Sequence, residues 1–130
     1  MIKLRREQHG QALVEMALVL PLFFLLLFGV IEMGRIGHAY ITVSSAARAG
    51  ARLATIGGTD LEIREAVLNA APALNSSALT VEITPNQLNR HSSQGVTVQV
   101  TYPVQLIIPV ISNVIPNPVV VNSTLNMRLE

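Results

Sequence analysis

Residues 11–35 read QALVEMALVLPLFFLLLFGVIEMGR, and this stretch decides the architecture of the chain. Its centre, residues 16–31, holds sixteen residues without a charge and is called the apolar run below. A helix that spans a bilayer needs about 20 apolar residues at a rise of about 1.5 Å each. The run reaches that length only if residues 11–15 are included, and Glu15 then lies within the span. An ionisable residue there is costly and points to a function.

A short basic leader, MIKLRREQHG, precedes this stretch and ends in Gly10. Lys3, Arg5 and Arg6 outnumber the single acid of the leader, Glu7. An excess of Lys and Arg beside an apolar span marks its cytoplasmic flank. The sequence therefore predicts one membrane pass, with the N-terminus inside and the rest of the chain outside.

Composition excludes several classes of protein. Half of the 130 residues are hydrophobic and the net charge is +1, so neither disorder nor a nucleic-acid partner is indicated. There is no cysteine, hence no disulfide. His9, His38 and His91 lack the spacing of metal ligands, and the sequence shows neither a nucleophile motif nor a phosphate-binding loop. We predict no enzyme, no cofactor and no metal.

Three interpretations of the apolar run remain open. It could be a cleavable secretory signal cut near Gly37-His38-Ala39, which would release a secreted binding module, although this site lies beyond Glu32 and Arg35. It could be an uncut anchor that holds a periplasmic assembly scaffold. A third interpretation explains Gly10 and Glu15 together.

A basic leader ending in Gly10, followed five positions later by Glu15 at the start of an apolar helix, resembles the N-terminus of a type IV-like prepilin. More narrowly, it is similar to the TadE-like minor pilins, or pseudopilins, of the bacterial tight-adherence (Flp) pilus. The stretch AYITVSSAARAGARLATIGG at 39–58 fits the same family, and STLNMRLE at 123–130 fits it more loosely. Met16 departs from the aromatic residue that is more usual there.

The resemblance implies a processing step. A membrane-embedded aspartic prepilin peptidase would cut between Gly10 and Gln11 on the cytoplasmic face. Glycine suits that position because the absence of a side chain lets the protease approach the backbone closely. Glu15 would pair with the new Gln11 ammonium of a neighbouring subunit, serve recognition by the peptidase, or do both; the alternative is a glutamate that snorkels to the interface without a partner.

The resemblance also implies where the protein acts and with what. The expected partners are the prepilin peptidase, other pilins and minor pilins, the pilus assembly platform and membrane lipid, with no nucleic acid. The expected location is the bacterial inner membrane, with a periplasmic C-terminal part, or an extracellular pilus that serves adherence and biofilm formation. A sizeable C-terminal part favours a low-copy role, since the major pilins of this system are much shorter.

The helical pattern continues past the apolar run to residue 54 and ends at Gly57-Gly58. A helix over 11–54 would be about 65 Å long at 1.5 Å per residue, so part of it would form a stalk outside the bilayer. Pro21 removes one helix hydrogen bond and is expected to kink or locally melt the helix. Small residues at four-residue spacing form a ridge that could pack on this chain's own sheet or on neighbouring subunits: Thr42, Ala46, Gly50 and Ala54.

Residues 58–130 are predicted to form a small α+β head. Residues 60–71 read as a short amphipathic helix capped by Thr59 or Asp60. Period-two patterns then predict three antiparallel strands within 79–85, 95–103 and 119–130, with a polar loop at 86–94.

The predicted fold is thus a long transmembrane and stalk helix packed on a small sheet, with a second short helix. Its parts are the leader 1–10, the membrane and assembly helix 11–31, the extracytoplasmic helix 32–57 and the head 58–130. The apolar segment 104–115, broken by Pro109, is expected to cover the sheet; the alternative is an exposed flap that contacts membrane or a partner.

Overall fold

The computed structural model describes the backbone of residues 3–129 and the side chains of residues 10–129. The chain divides into two compact units, Met1–Gly34 and Arg35–Glu130, which we call the N-terminal and C-terminal units. One helix, α1 (Lys3–Thr55), contributes to both. It begins inside the predicted leader rather than at Gln11.

The N-terminal unit consists of the first part of α1. Every side chain from residue 10 to residue 28 is exposed, although most of them are Leu, Val, Phe or Ala. Among the described residues, α1 is the helix that is long and apolar enough to cross a membrane. This surface is what a lipid-facing helix requires and is unsuited to water.

The C-terminal unit is an α+β structure, as predicted. Its sheet has the order β1 (Thr80–Thr84), β2 (Gly95–Val104) and β3 (Val119–Arg128), and both pairings are antiparallel. The strand β2 is central and pairs along its whole length with β3, from Gly95 opposite Arg128 to Val104 opposite Val119. The three strands begin and end within one or two residues of the predicted bounds.

The core lies on one face of this sheet. Alternate side chains of β2 point into it, and Val96, Val98 and Val100 are almost completely buried. The opposite side of the core is formed by small residues of α1 and by helix α2 (Asp60–Asn69), which contributes Ile63 and Val67. Alternation along the strands therefore buries one face, as the period of two predicted.

Local signals define the ends of the two helices. Gly57 has φ of +79°, and its N–H donates to the Ala54 carbonyl while the Gly58 N–H donates to the Leu53 carbonyl. This pair of hydrogen bonds is a Schellman motif, which favours glycine at the residue with the left-handed conformation, here Gly57. At the start of α2, Thr59 is the N-cap, and it forms a reciprocal capping box with Glu62.

The predicted covering role of segment 104–115 is wrong. Val104 and Leu106 are buried, but most of the following apolar side chains are exposed, including Val110 and Val114. The segment forms a four-residue helix, α3 (Pro109–Ser112), within the connection between β2 and β3. The reason is that α1 and α2 already occupy the apolar face of the sheet, so the segment reaches the interior only at Val104 and Leu106.

The other long connection, 85–94, contains a single 3-10 turn, Gln87–Asn89. Its anchor is Arg90, whose side chain is almost buried and pairs with Asp60. The same guanidinium donates to the Gly58 carbonyl at 2.8 Å and to the Pro85 carbonyl at 3.1 Å. Arg90 thus ties this loop to the turn between α1 and α2, and burial lowers the pKa of its guanidinium.

Candidate functional site in the N-terminal helix

The residues predicted to govern processing lie together on α1. Gly10, Gln11 and Glu15 are all helical and exposed. Gln11 and Glu15 are one turn apart, and the Gln11 Nε2 donates to the Glu15 Oε1 at 3.3 Å. The carboxylate of Glu15 therefore lies beside residue 11, at the edge of the apolar run.

The Gly10–Gln11 peptide bond lies inside the helix. A protease needs the scissile backbone in an accessible form, so the helix must open locally before this bond can be cut. Glycine in a helix interior costs about 0.5–1 kcal/mol relative to alanine, and a Cβ at Gly10 would have no neighbour within 4 Å. Gly10 therefore serves no packing purpose in the chain and weakens the helix at the bond where cleavage is expected.

Two glutamates flank the apolar run, and their surroundings differ. Glu32, after the run, is only 2% exposed. Glu15, before the run, is exposed. A carboxylate inside a membrane or an assembly must find a cation or a hydrogen-bond donor. Glu15 therefore keeps its carboxylate at the surface of the helix, beside the Gln11 side chain.

The helix continues through Pro21 without a break. Nearby aromatic rings lie against one another on its surface, with centroids 5.9 Å apart for Phe23 and Phe24 and 6.0 Å apart for Phe24 and Phe28. The proline thus neither ends nor divides the apolar surface.

The small-residue ridge lies mainly within the C-terminal unit's own core. Ala46, Gly50 and Ala54 are buried, whereas Thr42 is half-buried and its hydroxyl donates to the His38 carbonyl at 2.8 Å. A Cβ on Gly50 would lie 2.6 Å from the Val67 side chain. At Gly50, therefore, the backbone of α1 lies close against the Val67 side chain of α2.

Sequence reasoning did not find this partner of the ridge. Four-residue spacing indicates that a backbone comes close, but it does not say which one. Ile63, the largest fully buried side chain of the core, was not singled out, because the apolar positions of α2 follow the helical period only in part.

The described residues hold no cluster of three or more His, Asp or Glu side chains able to bind a metal ion. His38 lies on α1 and His91 in the connection between β1 and β2, on separate elements. The charged group around Arg90 and Asp60 is occupied by internal contacts and joins loops of the fold.

Comparison with known proteins supports the assignment of the N-terminal region. Residues 10–52 match the model of the family described as TadE-like protein. No curated protein and no solved structure matches the chain. The match confirms the resemblance seen in the sequence, and it starts at Gly10, where cleavage is expected. The match shows what residues 10–52 are similar to, and they lie in the described helix that is long and apolar enough to cross a membrane.

Proposed function

We propose that this chain is a minor pilin, or pseudopilin, of a tight-adherence pilus. It is inserted with its N-terminus in the cytoplasm, trimmed after Gly10 by a prepilin peptidase and assembled with other pilins through its apolar helix. The observation that carries the proposal is the exposure of Gly10 and Glu15 at the mouth of an apolar helix, inside the region that matches the family.

Cleavage converts this region from a membrane anchor into an assembly element. Removing residues 1–10 takes away Lys3, Arg5 and Arg6 and leaves an α-ammonium on Gln11. That ammonium and the Glu15 carboxylate have opposite charges and lie one turn apart on the same helix. In a bundle of apolar helices the carboxylate of one subunit accepts hydrogen bonds from the ammonium of the next, which fixes the axial register between neighbours.

The exposed apolar side chains suit contact with lipid and contact with other helices equally well. Leu, Val and Phe side chains cover the described helix from residue 12 to residue 28 on all sides. Such a surface can exchange lipid neighbours for other helices at little cost, because lipid tails are about as apolar as leucine. Assembly therefore needs a polar determinant in addition, and Glu15 supplies it.

The secreted alternative has no support in the geometry. Gly37, His38 and Ala39 lie in the middle of α1, and Ala39 belongs to the core of the C-terminal unit. A signal peptidase would have to cut a packed helix. The uncut scaffold remains as the competing proposal, and processing separates it from the pilin.

The decisive experiment is expression with and without a prepilin peptidase, followed by intact mass measurement and N-terminal sequencing. We expect a mature N-terminus at Gln11 only when active peptidase is present. Gly10→Leu should block trimming, whereas the matched control Gly29→Leu should be trimmed, because a Cβ meets nothing within 4 Å at either glycine. An untrimmed wild-type chain in the presence of active peptidase would favour the scaffold.

A further inference from the structure

The connection between β2 and β3, residues 105–118, carries an exposed apolar surface. Val110, Val114 and Ile115 are exposed, and the side chain of Val114 retains 83% of its accessible surface. The sequence from 104 to 115 contains no charged residue. Grouped aliphatic side chains on the surface of a small domain mark an interaction site.

Contacts within the C-terminal unit place this connection at one end of the sheet. The Arg35 Nη2 donates to the Gln105 carbonyl at 3.2 Å, so the connection starts beside the first residue of the unit. At the other end of β2, Arg90 holds the connection 85–94 against Gly58. The ten residues of β2 separate the two ends by about 30 Å.

Covalent connectivity then brings the 105–118 connection close to the membrane. Arg35 follows Ile31, the last residue of the apolar run, by four positions. Even a fully extended chain covers at most about 14 Å in four residues, whatever its direction. The Gln105 carbonyl therefore lies no farther from Ile31 than these four residues and the Arg35 side chain can reach.

Several polar groups of the connection are satisfied from within it. The Ser112 hydroxyl donates to the Pro109 carbonyl at 2.8 Å, and the Leu106 N–H donates to the Asn117 Oδ1 at 3.0 Å. Internal satisfaction of this kind suits contact with lipid, where no water is available to a polar group. A protein partner would instead be recognised through polar groups at the rim of the interface.

We propose that the 105–118 connection enters the headgroup region of the leaflet from which α1 emerges, with Val110, Val114 and Ile115 in contact with the acyl chains. The inference rests on the membrane anchoring in the proposed function. It makes the connection a second, shallow membrane contact that holds the C-terminal unit at the bilayer until the subunit is assembled. Aliphatic side chains at this depth gain from burial without spanning the membrane.

Site-directed fluorescence can test this in the full-length chain, which has no cysteine of its own. Three single variants, Val114→Cys, Leu88→Cys and Leu25→Cys, would be labelled with an environment-sensitive dye and reconstituted into phosphatidylethanolamine–phosphatidylglycerol vesicles. Leu88 is the matched control, since it is 90% exposed and lies in the connection at the other end of β2. Leu25 reports insertion of the apolar run.

We expect lipids with shallow nitroxide groups to quench the probe at 114 at least twofold more than the probe at 88. Iodide dissolved in the water should quench the probe at 88 more than the probe at 114. If the probes at 114 and 88 were quenched equally while the probe at 25 was quenched by lipid, the inference would be overturned and the membrane anchoring would stand. Shielding at 114 that rises with the protein-to-lipid ratio, without quenching by lipid, would overturn it in favour of a second copy. An unquenched probe at 25 would overturn both the anchor and this inference.

Discussion

The helix α1 has two parts in this protein, and they differ in the size and the exposure of their side chains. From residue 10 to residue 28 the side chains are exposed, and most of them are large and apolar. From Ala39 to Ala54 the fully buried side chains are small, apart from Val43, and Leu53 packs partly buried against the same core. Large side chains are thus found where the chain leaves the helix uncovered, and small side chains are found where its own sheet and α2 come close.

The contrast extends to the charged groups. In the N-terminal unit, Glu15 is exposed beside an apolar surface and accepts a hydrogen bond from the neighbouring Gln11 side chain. In the C-terminal unit, Arg90 is already satisfied by Asp60 and two backbone carbonyls. The charge of Glu15 is therefore on the surface of the chain, whereas that of Arg90 is engaged within its own unit. Variants at Glu15 should therefore impair incorporation with partner pilins, whereas variants in the C-terminal unit should lower its stability.

The largest effect is expected at Glu15. Glu15→Gln keeps the shape of the side chain and removes the charge that would pair with a neighbour's ammonium. Breaking a buried ion pair by removing one partner costs about 3–5 kcal/mol, so the trimmed variant should insert but fail to join partner pilins. The measurement is co-purification of the mature chain with sheared pili or partner minor pilins.

Glu82→Gln, on the exposed face of β1, is the matched control and should be incorporated normally. Glu15→Ala should behave like Glu15→Gln if the charge is the determinant. Normal incorporation of trimmed Glu15→Gln would mean that the charge does not set the register between subunits.

The second effect tests the small-residue half of the helix. Gly50→Ala would place a Cβ 2.6 Å from Val67 and 3.4 Å from Ile63 and Val98, all buried. Overpacking of this kind costs about 1–3 kcal/mol, which exceeds the gain of up to about 1 kcal/mol from replacing glycine in a helix. Hydrogen exchange of the α2 and β2 amides in detergent should show the lower stability.

Gly37→Ala is the control, because a Cβ there meets nothing within 4 Å. It should leave the free energy of exchange unchanged or raise it slightly. If Gly50→Ala were as stable as Gly37→Ala, the close approach of α1 and α2 would not contribute to the stability of the unit.

A smaller effect is expected at the start of α2. Thr59→Ala removes the hydroxyl that accepts the Glu62 N–H at 3.2 Å. Loss of an N-cap side chain typically costs about 1 kcal/mol. Thr59→Ser should retain most of the stability, since serine caps equally well. Faster exchange confined to the first turn of α2 would support the assignment, and unchanged exchange there would contradict it.

The smallest effect concerns pH. Hydrogen bonds from the Thr59 N–H at 2.8 Å and the Thr59 hydroxyl at 2.9 Å lower the pKa of Glu62 below its ordinary value of 4.5. A lowered pKa in the folded state means that the stabilising contribution is complete above about pH 4.5 and is lost as the pH falls through the folded pKa.

Glu62→Gln should abolish this part of the pH dependence, because glutamine keeps a hydrogen-bond acceptor but does not titrate in this range. The check is an NMR titration of the Glu62 carboxyl, together with α2 exchange in both forms, corrected for the intrinsic pH dependence of exchange. A Glu62 midpoint at or above 4.5 would contradict the capping role.

The sequence by itself was sufficient for α1, α2, the three strands and their order, but not for α3 or the turn at Gln87–Asn89. The hydrophobic period, the glycines and the helix caps are local signals. They predicted the end of α1 before Gly57, the helix after Thr59 and the alternation in β2 from the sequence alone. The resemblance carried by Gly10 and Glu15 is local as well, and the match over 10–52 confirms it.

Only the tertiary structure decided which surfaces are covered. Gly50 indicates a close neighbour, but the neighbour proved to be Val67, seventeen residues away on another helix. The apolar segment 104–115 looked like core, yet Val114 is exposed because α1 and α2 had already filled the one apolar face of the sheet. A local pattern records that a side chain is apolar, whereas its burial depends on competition among all elements for a limited interior.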